Sequence, residues 1–193
     1  MYTAGAALTW LQRLGLIDQP ADLDRLAGEV ADSAGVVFVP GLAGLAAPFW
    51  HPAARGVFAG LSLATERAHL MRAVVDGIAA QVAWLARAME DGVDRRLARL
   101  RVDGGLTRSR VLMQTQADLL QVPVEVYPSP NATALGIAAL ARLGSGAART
   151  AADAVGAWLP EITYEPRLSA DEAASRLDTW RRTTEATMDL GRR

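Results

Sequence analysis

Leu100-Arg101-Val102-Asp103-Gly104-Gly105-Leu106-Thr107-Arg108-Ser109 is the stretch on which the reading of this chain depends. A short apolar strand runs into two adjacent glycines, and a helical pattern from about Arg108 to Leu120 follows, with Leu112, Met113, Leu119 and Leu120 as core positions. In open α/β sheets the carboxyl end of a strand is where ligands bind. Glycines there let a ligand approach the main chain, and a following helix start offers free N–H groups to an anion or a ribose oxygen. Two glycines in such a bend are also what a plain tight turn requires. The spacing is neither G-x-G-x-x-G nor G-x-x-x-x-G-K-[ST], so the usual dinucleotide and phosphate-loop fingerprints do not apply.

Working outward, Val36-Val37-Phe38-Val39 is a β-branched run stopped by Pro40, which predicts a buried strand. Val122 to Tyr127 predicts another, with Pro123 near its start or at an edge. Leu70, Val74, Ile78, Val82, Leu85 and Met89 recur at helical spacing, and Thr65 is the expected cap of that helix, with Glu66 in its first turn. Asn131 or Thr133 caps an Ala-rich helix reaching Leu143. Shorter helices are expected at Ala6 to Leu14, within Pro20 to Val30, and up to Val155; an extended segment at Ile162 to Tyr164 and a terminal helix from Ser169 to about Asp189 complete the chain. Gly41 to Gly60, rich in Gly, Pro and aromatic residues, reads as a long loop of the kind that usually has a task. Strands alternating with helices at these separations predict an α/β fold with a mainly parallel sheet flanked by helices.

Composition narrows the chemistry. The chain has 193 residues, of which 51% are hydrophobic and 21% charged, enough to build a core. A net charge of -1 lacks the electrostatic footprint of a general nucleic-acid binder. There is no Cys and no Lys, which excludes a thiolate or Lys nucleophile, a Schiff base and a phosphate-loop Lys; two distant His make a His-based metal site improbable. No apolar run approaches the roughly 18 residues of a membrane span, and Met1 to Gly5 has no basic leader pattern. A soluble cytoplasmic protein, with no nucleic-acid or membrane partner, is expected. Asp76, a mid-helix acid among apolar residues, and His51 and His69 are further candidates for chemistry, each equally readable as a surface or capping residue. Asp94-Arg95-Arg96, Arg108 and Arg110 read as solvated faces, and the five Trp are too scattered to form a stacking platform by spacing alone.

Three blocks together carry a family resemblance. Gly56-Val57-Phe58-Ala59-Gly60-Leu61, seven residues, then His69-Leu70-Met71-Arg72-Ala73-Val74-Val75-Asp76 resembles the second signature of the FGGY carbohydrate kinases. The Leu100 to Gly105 strand and bend, followed by Leu112-Met113-Gln114 and Ala117-Asp118, is similar to that family's adenosine-side turn and helix. Thr133-Ala134-Leu135-Gly136 with Ala138 resembles the last family block, and the loop Gly44-Leu45, Ala47-Pro48-Phe49-Trp50, Pro52 to Gly56 is most like the glycerol kinase branch.

The resemblance implies an actin-like, ribonuclease-H-like lobe: the C-terminal, ATP-side half of a two-lobed kinase that passes the ATP γ-phosphoryl group to a sugar or polyol hydroxyl, lacking the first strands of the complete lobe. Residues 1–193 are then a single truncated C-terminal domain, with 147–193 a helical extension packed on it. By resemblance Gly104, Gly105, Ser109, Gly5 and Thr9 are the nucleotide-side residues; Ser109 stands where the branch usually has Asn, and Thr9 where it has Gln. No residue matches the catalytic base. ATP and Mg²⁺ are the implied cofactors, with Mg²⁺ held mainly by the absent N-terminal lobe and the phosphates. That lobe, ATP or ADP and a sugar or polyol are the implied partners, and the isolated chain is expected to be inactive. An open sheet edge favours a homo-oligomer. The alternatives are a non-catalytic actin-like nucleotide-binding or interaction module, or a kinase for another sugar such as xylulose.

Overall fold

The computed structural model describes residues 4–190, so the outermost residues of the expected 1–193 domain lie outside the described part. The elements in chain order are α1 (Ala4–Arg13), α2 (Ala21–Ala27), β1 (Val37–Val39), β2 (Val57–Ala59), α3 (Arg67–Val93), β3 (Leu100–Val102), a 3-10 turn (Gly105–Arg108), α4 (Arg110–Leu120), β4 (Val124–Val126), α5 (Ala132–Gly144), α6 (Ala151–Val155), β5 (Ile162–Tyr164) and α7 (Ala170–Leu190). The α/β class stands. Among the described residues no helix is long and apolar enough to cross a membrane.

The sheets differ from the mainly parallel expectation. β3 and β4 pair in parallel, with Leu100 opposite Val124, but β4 and β5 are antiparallel and β1 pairs antiparallel with β2. The β3-β4-β5 sheet is therefore mixed, and β1-β2 forms a separate ribbon. β2 falls inside the stretch expected to be loop. Its pairing is driven by aromatic contact: Phe38 lies opposite Phe58 with ring centroids 4.6 Å apart, and Trp10 of α1 stacks on both. Hydrophobic alternation over three residues is too short to announce that strand; a cross-strand partner supplies what the local pattern lacks.

The helix expected from apolar spacing is α3, 27 residues long. Its cap is Glu66 rather than Thr65. The Glu66 N–H donates to His69 Nδ1 at 3.1 Å, and the Glu66 side chain accepts from the His69 N–H, which makes a capping box. The Thr65 hydroxyl instead accepts from the Ser62 N–H at 2.9 Å, closing the preceding turn.

α3 is the axis of the core. Met71, Val74, Val75 and Ile78 are almost fully enclosed, together with Leu11, Leu23, Phe38, Leu112 and Leu177 from five other elements. β1 crosses α3 at Gly77, where a Cβ would overlap the Phe38 carbonyl oxygen. That same carbonyl accepts a hydrogen bond from Trp180 Nε1 of α7 at 2.9 Å. The segment from residue 147 onward is not wholly helical. It contributes β5 to the sheet, while α7 closes over β1, α3 and α4 and Trp84 Nε1 donates to the Leu177 carbonyl.

The approach at Gly77 yields a direct expectation. Gly77→Ala should lose about 1–3 kcal/mol of stability through overpacking, read as a lower urea midpoint. Gly92→Ala, where a Cβ meets nothing within 4 Å, should be neutral or stabilising.

Candidate functional site

β3 ends at Val102, and the Val102 carbonyl accepts the Tyr127 N–H at 2.9 Å, so the Asp103-Gly104-Gly105 bend sits at the carboxyl end of the one parallel strand pair among the described residues. Gly104 has φ +98°, a conformation that requires glycine. Its carbonyl is held by both the N–H and the hydroxyl of Thr107, at 3.2 and 2.7 Å, which closes the 3-10 turn. The N–H groups of Gly105 and Leu106 make no backbone hydrogen bond among the described residues, as expected of a helix start. Gly104 and Gly105 are exposed, and a Cβ built on either meets nothing within 4 Å. The bend is therefore open, with bare main chain and free donors, a surface suited to a nucleoside or its phosphates.

Ser109 has a different situation. It is buried and forms the N-cap of α4, accepting the Leu112 N–H at 3.1 Å. Its single hydroxyl proton goes to Asp24 Oδ1 at 2.7 Å, and the same Asp24 oxygen accepts the Val111 N–H at 2.9 Å. One lone pair of the Ser109 hydroxyl remains, but its donor is committed to architecture. Asp24 escaped the reading of the sequence because it lies 85 residues away on α2 and carries no local motif.

Gly5 and Thr9 lie one turn apart on α1, and both are exposed. A Cβ at Gly5 meets nothing within 4 Å, and the Thr9 side chain makes no hydrogen bond among the described residues. No hydrogen bond among the described residues links them to the bend. Arg108 and Arg110 beside the bend are exposed and make no ion pair among the described residues, whereas Arg96 reaches Glu90 at 3.4 Å. A group that spacing did not reveal gathers near the same strand ends: Tyr127 meets Trp158 edge-on at 4.8 Å, and the Arg101 guanidinium lies 4.7 Å from the Trp158 ring. Both Arg101 and Arg99 also pair with the buried Glu125.

The remaining candidates separate. His69 belongs to the capping box, and His51 has a buried Nδ1 without a hydrogen-bond partner among the described residues. Asp76 pairs with Arg72 at 3.0 Å; burial pushes its carboxyl up, opposed by the Arg72 guanidinium. It does not adjoin the glycine bend but lines a cavity among α3, α4, α7 and β1. Among the described residues no group of three or more His, Asp or Glu side chains lies together as a metal-ion cage.

Residues 1–144 match the sequence profile of the C-terminal domain of the FGGY family of carbohydrate kinases. The chain belongs to that family. It is 44% identical over 186 residues to a glycerol kinase of Bordetella parapertussis and 46% identical over 169 residues to one of Geobacter sp.. These alignments cover 96% and 87% of this chain but only 37% and 34% of the relatives. Thus the chain spans about a third of the length of the curated relatives it matches. Among solved structures, glycerol kinase of Plasmodium falciparum with ADP superposes with a TM-score of 0.85 at 27% identity, covering 96% of this chain and 37% of that one. Xylulose kinase of Rhodospirillum rubrum does so at 0.81 and 31%, covering 98% and 39%. This FGGY lobe has the mixed sheet flanked by helices of its relatives.

The Asp24–Ser109 link should be measurable. Ser109→Ala and Asp24→Ala should each lower stability by about 0.5–2 kcal/mol. The double variant should lose less than the sum, because both act on one network. Equilibrium urea unfolding of all four proteins checks this.

Proposed function

We propose that this chain is the nucleotide-side lobe of an ATP-dependent carbohydrate kinase of the glycerol kinase type, transferring the ATP γ-phosphoryl group to a polyol hydroxyl. Residues 1–193 act as a single domain in this reading, with 147–193 packed against it. The observation that carries it is the open Gly104-Gly105 bend at the end of β3, with free N–H groups, in a chain 44% identical to a glycerol kinase. A related solved glycerol kinase contains ADP. The 31% identity to a xylulose kinase supports, as a second reading, a sugar rather than glycerol as the acceptor.

In this proposal Gly104 and Gly105 bring main chain against the nucleoside, and the Gly105 and Leu106 N–H groups meet its polar oxygens. Ser109 contributes chiefly by anchoring the start of α4, so that the bend keeps its shape without a ligand. Gly5 and Thr9 on α1 form a further part of the nucleotide surface. ATP supplies the phosphoryl group, and stabilising the charge on it needs a cation and a carboxylate that orients the acceptor hydroxyl. Those groups, with the polyol contacts, belong to the remaining two thirds of a full-length kinase, which is the principal partner of this chain. A cytoplasmic setting, where ATP is available, suits the reaction.

We also propose a homo-oligomeric tendency for the isolated chain. Among the described residues β3 is paired on one side only. α5 leaves Leu135, Ile137 and Leu140 exposed at 47%, 64% and 68%. Unpaired strand edges and contiguous apolar faces promote association.

Calorimetric titration with ADP should give weak, saturable binding to the isolated chain. Gly105→Val should abolish it without loss of fold, because the added side chain meets only open space in the structure. In a full-length kinase carrying this lobe the same change should raise the KM for ATP by about tenfold or more and leave that for the acceptor unchanged. Robust ADP production by the isolated chain with ATP, Mg²⁺ and glycerol would overturn the division of labour. Sedimentation velocity should show concentration-dependent association that weakens in Ile137→Glu/Leu140→Glu.

A further inference from the structure

The 3-10 turn that begins at Gly105 ends on Arg108. This arginine is exposed, and no hydrogen bond, ion pair or ring contact engages its side chain among the described residues. Several arginines in other elements have such a partner: Arg72 pairs with Asp76, Arg99 pairs with Glu125, and Arg87 lies over Trp84. Carboxylates are at hand for Arg108 as well. Asp24 accepts from Ser109, the next residue in the chain, and Asp103 opens the bend. Neither makes an ion pair with Arg108 among the described residues.

The turn itself dictates where this free cation stands. In a 3-10 helix residues three apart lie one above the other, so Arg108 stands over Gly105. A rise of about 2 Å per residue separates their Cα atoms by about 6 Å along the axis, a distance an extended arginine spans. Helical Cα–Cβ bonds tilt toward the N-terminal end, so the Arg108 stem sets out in the direction of Gly105. Gly105 is exposed and has no side chain to oppose it. Arg110 is equally exposed and unpartnered among the described residues but is placed differently. Ser109 between the two is extended, at φ -78° and ψ 107°, and Arg110 therefore starts a new helix on another axis.

From this placement we infer that Arg108 is a specificity-determining residue of the nucleotide surface. Its guanidinium takes a phosphate oxygen of the nucleotide whose nucleoside lies against Gly104 and Gly105. The inference rests on the nucleotide reading above and adds the group that tells a nucleoside phosphate from a bare nucleoside. In a chain without Lys, arginine is the cation available for this task. A guanidinium can give a phosphate two parallel N–H groups, a charge-assisted pair stronger than neutral hydrogen bonds. No existing contact of the Arg108 side chain among the described residues has to break first. Asp103 carries the opposite charge at the other end of the bend, which favours the phosphate on the Arg108 side.

Amide correlation spectra of the chain, titrated with ADP and with adenosine in the absence of divalent cations, test the assignment. ADP should bind about tenfold more tightly than adenosine, and the difference should narrow as salt is raised. Arg108→Ala should weaken ADP about tenfold and leave adenosine unchanged. Arg108→Lys, which keeps the charge but not the fork, should recover part of that loss. Arg110→Ala should leave both affinities within about twofold. Because Arg108 is exposed and unpartnered, its replacement should not move the urea midpoint. Adenosine binding at the bend, with ADP affinity indifferent to Arg108→Ala, would overturn the assignment and leave the nucleotide reading standing. Equal losses of ADP and adenosine in Arg108→Ala would overturn the phosphate contact, since the nucleoside alone would then be touched. Equal losses of ADP in Arg108→Ala and Arg110→Ala would overturn it too, by reducing Arg108 to a diffuse positive field. No saturable shift with either ligand would remove the nucleotide reading, and this inference with it.

Discussion

The carbonyl oxygen of Phe38 is the point at which three elements of this lobe are tied. A strand can lie this close to a helix only where the helix has no side chain, and Gly77 provides that gap in α3. The same oxygen, on the strand side that β2 does not cover, would be a buried acceptor without a partner; Trp180 of α7 supplies the donor. One main-chain group thus sets the height of β1 over α3 and the place where the last helix lands.

A comparable economy governs the glycine bend. Its shape is maintained from outside by Asp24, which holds the start of α4 through Ser109 and the Val111 N–H, and from inside by Thr107 on the Gly104 carbonyl. The Gly105 N–H makes no backbone hydrogen bond among the described residues. A preorganised, open bend loses little conformational entropy on meeting a ligand, which is how a short turn contributes to positioning. The chain covers 37% of the length of a glycerol kinase relative.

Much of the fold was legible along the chain. The apolar repeat from Leu70 to Met89 announces α3, the Leu100 to Gly105 run announces β3 and its bend, and the signature blocks announce the family that the comparisons then show. The misreadings share a cause. Glu66 displaces Thr65 as the cap because two side chains can satisfy two backbone groups reciprocally, which a single hydroxyl cannot. β2 was passed over because three residues at Val57 to Ala59 acquire strand character from Phe38 and Trp10, far away in sequence.

What the chain determines by itself is what depends on neighbours in sequence: the periodicity that makes α3 amphipathic, the glycines that permit the bend, and the residue types that exclude thiol and Lys chemistry. What only the tertiary structure decided depends on partners brought from a distance. The pairing of β1 with β2 brings Phe38 against Phe58, and the role of Ser109 comes from Asp24 across 85 residues. Local patterns record which conformations are cheap, whereas hydrogen-bond satisfaction is settled only when every buried group has met its neighbours.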